Sequence, residues 1–291
     1  MELDNWDEIR TAYHVARLGT VSGAAEALGV HHATVIRHVD ALENRLGVKL
    51  FQRHARGYTP TEAGDELLQV AQVTAEQFSQ LAGRLRGHGA AMTGDLAVTT
   101  VDSLTPLLVP VLAAFQADHP DLSVRLLADP RLYRLEYGEA HVAVRAGARP
   151  DEPDNIVQKL HVQHSTLYAS RAYVEAHGLL GDDLSAHRFV GPADEGHRAP
   201  FYRWMQVNVP AERITFRVGD MRAAVEAVEA GAGIGFVPVW QARHMPDLVE
   251  MRPTQPDWDV ELWLVTHVDL HRTAKVQALT AHLKEAAREW P

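Results

Sequence analysis

The sequence predicts an α/β protein that carries a small helical head at its N-terminal end. Three observations predict it. Residues up to Leu46 hold three helical patterns separated by glycines, a heptad seam runs from Leu67 to Leu85, and beyond Gly94 short apolar strands alternate with helices, twice over.

The head comes first. Trp6, Ile9, Tyr13 and Ala16 recur at helical spacing, and Asn5 followed by Glu8 three residues later reads as a capping box. Gly19 ends this helix. Thr20 caps a short second helix, "VSGAAEAL", which Gly29 closes; Ala24 and Ala25 are small enough for a neighbouring helix to approach closely. A third helix from about Ala33 to Leu46 puts Val35, Val39, Leu42 and Leu46 on its inner stripe, and Gly47 stops it. Helix, short helix, tight turn and longer helix form a helix-turn-helix arrangement. In "VKLFQRHARGYTPT", Leu50 and Phe51 read as buried and Arg53 and Arg56 as exposed, with Gly57 turning a small two-stranded wing.

Thr59-Pro60-Thr61-Glu62 reads as a helix start, with Thr59 as cap and Pro60 at the first helical position. Leu67, Ala71, Thr74, Phe78, Leu81 and Leu85 then follow at spacings of 4, 3, 4, 3 and 4. That seam predicts a two-helix coiled coil and hence a dimer; the alternative is an amphipathic helix packed on its own domain. Arg86 to Gly94 reads as a hinge.

The α/β part opens with strand "DLAVTTV", helix "LTPLLVPVLAAFQADHP", strand "LSVRLLA", short helix "RLYRLEYGE" and strand "AHVAVRAG". A second set begins near His161 and runs through "HSTLYAS", "ITFRVG" and "IGFVPV" to "VELWLVTH" and a closing helix. This alternation implies parallel sheets, with two lobes around a cleft at the carboxyl ends of the strands. The expected domains are 1–60 (head), 61–90 (linker and hinge) and 91–291. Within the last, one lobe takes about 91–161 and 267–291, and the other about 162–266.

Composition limits the function. The chain has 291 residues and no cysteine, which excludes disulfides and zinc-thiolate sites and fits a reducing cytoplasm. No apolar run approaches the ~18 residues of a membrane helix, and the acidic start "MELDNWDEIR" does not read as a signal peptide. The net charge is −10, yet Gly29 to Thr61 gathers five Lys/Arg and four His against only Asp40 and Glu43. A polyanion repelled by the whole can be met only by such a local patch.

Several segments together resemble the LysR-type transcriptional regulators: "VARLGTVSGAAEALGV", "LFQRHARGYTPTEAG", "AHVAVRAGARPDEPDNIVQKL", "LYASRAYVEAHG", "AAVEAVEAGAGIGFVP" and "LWLVTH". The likeness spans essentially the entire chain. It implies a winged DNA-binding head, a dimerising linker helix and a two-lobed effector domain like the periplasmic binding proteins. It also implies homodimers paired into tetramers, and control by a small organic effector, which a carboxylate would suit. RNA polymerase is a further candidate partner; no cofactor, metal or membrane is implied. Where the family has Ser-Gln-Pro/Ser at the recognition helix, His31, His32 and Ala33 stand here; Ile36 replaces a common Ser, and His141 an Asp. Operator and effector identity therefore do not carry over.

The resemblance places His31, His32, Thr34 and Arg37 toward base edges and phosphates, with His38 as a second-rank contact and Arg53 and Arg56 on the wing. A metal reading of His31 and His32 fails because adjacent helical side chains diverge by about 100°. On the effector side, Thr100, Asp102 and Ser103 end the first strand, where Asp102 either caps the next helix or meets an amine or hydroxyl. Other wall candidates are Pro130, Arg131, Arg145, Ser165, Thr166, Gly191, Pro192, Asp220, Met221 and Phe236. Arg145 suits a carboxylate or bridges the lobes. His161 and His164 straddle the lobe crossover and read as structural.

Two other readings compete. A family member with a filled cleft needs no ligand. A hydrolase lacks any Gly-X-Ser-X-Gly elbow or His-Glu-X-X-His motif to assemble its residues. Imidazoles set against phosphates make DNA affinity rise as pH falls from about 8 to 6. Anisotropy titrations of the wild type and of a His31→Gln/His32→Gln double variant test this: the variant should lose the slope.

Overall fold

The computed structural model describes residues 5–54, 57–85, 92–129, 131–194 and 196–291, and the side chains of 62–85 only in part. In the head, α1 (Trp6–Leu18), α2 (Val21–Leu28) and α3 (His32–Leu46) precede strands β1 (Phe51–His54) and β2 (Gly57–Pro60). The Asn5 side chain accepts from Glu8 N, and Thr20 Oγ1 accepts from Gly23 N at 3.1 Å. Gly19, Gly29 and Gly47 end the three helices in the left-handed region that disfavours any other residue. The inner stripe of α3, Val35, Val39 and Leu42, is fully buried against Ala12, Val15, Ala24, Leu50 and Phe51.

The buried carboxylate of Glu43 joins α3 to the wing. Its Oε1 accepts from Leu50 N at 2.9 Å and Phe51 N at 3.2 Å, while Oε2 meets Lys49 Nζ at 2.7 Å and Arg53 Nη2 at 3.0 Å. Burial pushes this carboxyl up, but these donors outweigh it and hold the group below the usual carboxylate range.

Helix α4 (Glu62–Leu85) starts one register later than the sequence suggests. Thr59 and Pro60 complete β2, and Thr61 is the cap, its Oγ1 accepting from Gly64 N at 3.2 Å. The strand takes precedence because Thr59 and Pro60 pair with Gln52 and Phe51. The seam residue Leu67 is committed to the head's own core, while Phe78 stays exposed and meets Trp6 edge-on at 5.8 Å. Further along the chain, Gln72 Nε2 donates to Gly138 O at 3.1 Å.

The remainder forms two lobes. The first holds β3 (Gly94–Thr100), α5 (Thr105–Asp118), β4 (Leu122–Ala128), β5 (Val142–Ala146) and β6 (Asn155–Gln163). The second holds β7 (Ser165–Ser170), α6 (Arg171–His177), β8 (Phe189–Pro192), α7 (Pro200–Asn208), β9 (Ile214–Val218), α8 (Met221–Glu229), β10 (Gly235–Pro238), α9 (Val239–Ala242) and β11 (Leu248–Glu250). Strand β12 (Val260–His267), then α10 (Val268–His271) and α11 (Ala274–Ala287), return to the first lobe.

The first sheet runs β4-β3-β5-β12-β6. Strand β3 is parallel to β4 and β5, whereas β12 is antiparallel to both β5 and β6. Residues 260–266, expected in the second lobe, therefore belong to the first, as does the end of β6 at 162–163. An all-parallel sheet is also corrected: a strand that returns from the other lobe enters from the opposite end. In the second lobe β7 is antiparallel to β10 and β11, β8 is parallel to β9, and a bridge from Phe189 to Ile234 joins the two sets.

One face of the first sheet is covered by Leu108, Leu112 and Phe115 of α5 with Val276, Leu279 and Leu283 of α11. Its other face buries Ala97, Leu135, Ala140, Ala143, Trp263 and Val265. The second core gathers Phe201, Met205, Ile234, Phe236 and Trp258.

His141 shows why an imidazole stands in this sheet. β3 pairs with β5 only at Val98 and Thr99, and the Ala97 N–H beside that pairing donates to His141 Nδ1 at 2.9 Å. Burial, with Lys275 and Arg125 nearby, pushes this histidine down to about 3. The folded protein thus keeps it neutral while the unfolded chain protonates it near 6.5. A base with a depressed folded value stabilises above the unfolded value, and that contribution falls as pH drops from about 6.5 to about 3. His141 should therefore contribute about 1.4 kcal/mol per pH unit to acid lability in that window. Urea unfolding at pH 7, 6, 5 and 4 checks it: His141→Asn, whose carbonyl can still accept from Ala97, should lower the slope by about that amount.

Candidate nucleic-acid interface and interlobe cleft

The candidate interface is built on α3 because every strong packing contact of that helix lies on its inner face. His31, His32, Ala33, Ile36 and Arg37 are exposed, and Thr34 and His38 are half-buried. His31 is the N-cap in extended conformation but makes no side-chain cap bond. The first N–H groups of α3 thus lack the side-chain acceptor that Thr20 gives α2, and beside them lies an open hollow lined by His31, His32, Ala33, Ser22, Gly29 and the acidic Glu26, among others. Unsatisfied N–H groups and the helix dipole favour an anion there.

The other predicted interface residues are less free. The Thr11 hydroxyl donates to Asp7 O at 2.6 Å, so its oxygen is left to accept from His38 Nδ1 at 2.9 Å. His38 is thereby a tie between α1 and α3 as well as a surface group. Arg53 is exposed on the wing, as expected, but its charge is engaged. Its Nη2 lies 2.6 Å from Asp40 Oδ1 and 3.0 Å from Glu43 Oε2, and the guanidinium sits over the Tyr58 ring. Two carboxylates on α3 hold it against the head. Arg56 falls outside the described residues, as do the side chains of Leu81 and Leu85 in the seam. Ala71 and Thr74 are half-buried, and Thr74 Oγ1 donates back to Val70 O.

The cleft expected from the sequence would lie where strands β3, β4 and β5 of one lobe and β8, β9 and β10 of the other end. Several expected wall residues prove to be framework. Thr100 Oγ1 donates to Val144 O at 3.1 Å, and Thr166 Oγ1 donates to Arg252 O at 2.6 Å. Phe236 is packed between Phe201, Trp204 and Trp258, deep in the second core. Gly191 and Pro192 are buried, and a Cβ on Gly191 would come within 2.6 Å of Ile214. Arg131 pairs with Glu139 at 2.7 Å, and Arg145 pairs with Glu152 at 2.9 Å. Both pairs lie within the first lobe, so Arg145 is not a bridge between lobes. Pro130 falls outside the described residues.

Five candidates remain: Asp102, Ser103, Ser165, Asp220 and Met221. Ser103 and Met221 are half-buried, Ser165 is buried with a hydroxyl that has no partner, and Asp220 caps α8 by accepting from Ala223 N at 2.8 Å. Asp102 makes no cap bond to α5. Its carboxylate reaches across the cleft to Arg222 Nη1 at 3.5 Å. The sequence reading missed Arg222, although a signal was present. A cation in the first turn of a helix opposes the helix dipole and calls for a nearby anion.

His164 Nδ1 and Asp259 Oδ1 meet at 2.8 Å and tie together the two chain crossings between the lobes; His161 lies edge-on to Trp290. Among the described residues no group of three His, Asp or Glu side chains is placed to hold a metal, and no helix is long and apolar enough to cross a membrane.

Two family models match the chain: the bacterial regulatory helix-turn-helix protein of the lysR family over residues 6–65, and the LysR substrate binding domain over residues 89–288. An HTH-type transcriptional repressor of Pseudomonas aeruginosa is 31% identical over 241 residues, covering 80% of this chain and 75% of its own. The HTH-type transcriptional regulator TfdS of Cupriavidus pinatubonensis is 30% identical over 97% of each chain. In structure, a full-length OxyR variant from Pseudomonas aeruginosa superposes with a TM-score of 0.73 at 17% identity, over 100% of this chain and 99% of that one. These relatives are transcriptional regulators and not enzymes.

The exposed Arg37 and the tethered Arg53 should behave differently. Arg37→Ala is expected to weaken DNA binding about tenfold or more and to reduce the salt slope by about one unit. Arg53→Ala should mainly lower the unfolding midpoint in urea, because it leaves Glu43 short of a donor. Fluorescence anisotropy at several salt concentrations, run beside denaturation, separates the two.

Proposed function

The chain belongs to the LysR family of transcriptional regulators, and we propose that it binds operator DNA through the first turn of α3 under the control of a small effector held between its lobes. The observation that carries the DNA part is the uncapped N-terminus of α3. It presents His31, His32 and Arg37 to solvent while the rest of that helix is locked to α1, α2 and the wing. The helix fits a major groove, and its unsatisfied N–H groups suit a phosphate. Arg56 serves as the wing contact in this reading, and Arg53 shapes the wing rather than touching DNA.

Two copies joined along α4 would set two such helices on successive turns of a duplex. Phe78, exposed beside Trp6, and Ala71 and Thr74 on the same helix are the contacts proposed for that pairing, continued by Leu81 and Leu85. The pairing of dimers into tetramers and contact with RNA polymerase belong to the same proposal.

Effector control works by a shift between lobe arrangements, since a ligand that bridges the cleft favours whichever arrangement it fits better. Ser103, Ser165, Asp220 and Met221 line the edges that such a ligand would touch. The test is an electrophoretic shift with the DNA upstream of the protein's own gene, beside light scattering of the free protein. A complex of one dimer or two per operator is expected, with loss of binding in Arg37→Ala. A monomer that ignores this DNA at low salt rejects the reading.

A further inference from the structure

We infer that the cleft takes a compact dipolar ligand of the amino-acid class, whose ammonium meets Asp102 on one lobe and whose carboxylate meets Arg222 on the other. The inference rests on reading the cleft as the effector site and adds the chemistry of what fills it.

The carrying observation is the pair itself. Asp102 Oδ2 and Arg222 Nη1 face each other across the cleft at 3.5 Å, the outer limit of a hydrogen bond, and both side chains are largely open to water. Such a pair is weak and easily exchanged. Arg222 has a second contact: its Nε donates to Glu226 Oε1 at 3.1 Å, which leaves its Nη1 toward the first lobe. Glu226 is thus a positioning residue for the guanidinium.

The other charges near this pair are matched within their own lobes. On the first lobe, Arg131 and Arg134 share Glu139, and Arg145 pairs with Glu152. Asp129, whose N–H bonds Thr100 O beside the end of β3, accepts from the Tyr133 hydroxyl and the Arg131 N–H, which keep it ionised. On the second lobe, Asp220 accepts from Ala223 N, and Arg217 Nη1 donates to Pro192 O at 3.4 Å. Asp102 and Arg222 instead find each other from opposite lobes.

A simple carboxylate would gain Arg222 but would be repelled by Asp102; a simple amine would meet the converse. A ligand carrying both charges a few ångströms apart replaces each half of the Asp102–Arg222 pair with a partner of the same sign. The protein's own ion pair stands in for the ligand when the cleft is empty of it.

Thermal-shift assays on the full-length protein test the inference. The probes are a mixture of the twenty standard L-amino acids, a mixture of the matching carboxylic acids without the amine, and one of the matching amines without the carboxylate. The best single compound then goes to calorimetry. The amino-acid mixture should raise Tm by several degrees while the other two leave it unchanged. Asp102→Asn and Arg222→Gln should each weaken the best compound at least tenfold and still shift operator DNA. If a plain carboxylate binds the wild type as tightly and Asp102→Asn tightens it, the dipolar class is overturned while the cleft remains an effector site. A dipolar compound indifferent to both substitutions overturns it equally. If no probe changes Tm or the mobility of the operator complex, the dipolar class is overturned, while the effector reading is judged by other ligand classes in the same assay.

Discussion

The head depends on one buried carboxylate. Glu43 is 2% exposed, and a charge in that position is tolerable only because two backbone N–H groups and two cationic side chains surround it. The donors all come from one short stretch, Lys49 to Arg53, so the acid does more than offset its own desolvation. It ties the long helix to the wing, and it engages the exposed Arg53 in an ion pair. What α3 offers to a partner is therefore what this arrangement leaves uncovered: its first two turns, with His31, His32 and Arg37. In the other domain the equivalent constraint is β12. By pairing antiparallel with both β5 and β6, it closes the first lobe on a strand that arrives from the second.

Much of the local structure was legible in the residues. Glycines with a positive φ stood where the helices were expected to end, and the capping side chains Asn5 and Thr20 did what such side chains do. Periodicity found Val35, Val39 and Leu42 of α3's inner stripe, with Leu46 only partly buried, and it missed the buried Glu43. The failures share a cause. Thr59-Pro60 satisfies a capping pattern, yet its neighbours offered a strand partner, and pairing prevailed over local preference. Residues 260–266 read as a strand, correctly, but which sheet a strand joins is decided by contacts across more than a hundred positions. Likewise Leu67 fits a heptad seam and a domain core equally well by spacing alone; only the fold shows that it belongs to the core.

The cleft was the hardest part to read. Proximity to a strand end is visible in sequence, but the direction of a side chain is not. Thr100, Thr166 and Phe236 stand at the expected places and turn into the framework, where backbone carbonyls or aromatic rings take them up. Arg131 and Arg145 find carboxylates eight and seven positions on, a distance at which a loop folds back on itself. What meets across the lobes instead is Asp102 and Arg222, separated by 120 positions. Their relation follows from the way two lobes face each other, which no local pattern encodes.

The bond from Gln72 to Gly138 has a mechanical consequence. Gly138 sits at φ 65° in the turn after Leu135–Tyr137, so close that an added Cβ would overlap the Gln72 amide. Glu139, the next residue, holds Arg131 and Arg134 near the cleft edge. Helix α4 is thus pinned to the first lobe a single residue away from the Glu139 ion pairs. A rearrangement of those pairs must either break the pin or swing the helix, and the head travels with it like the arm of a balance.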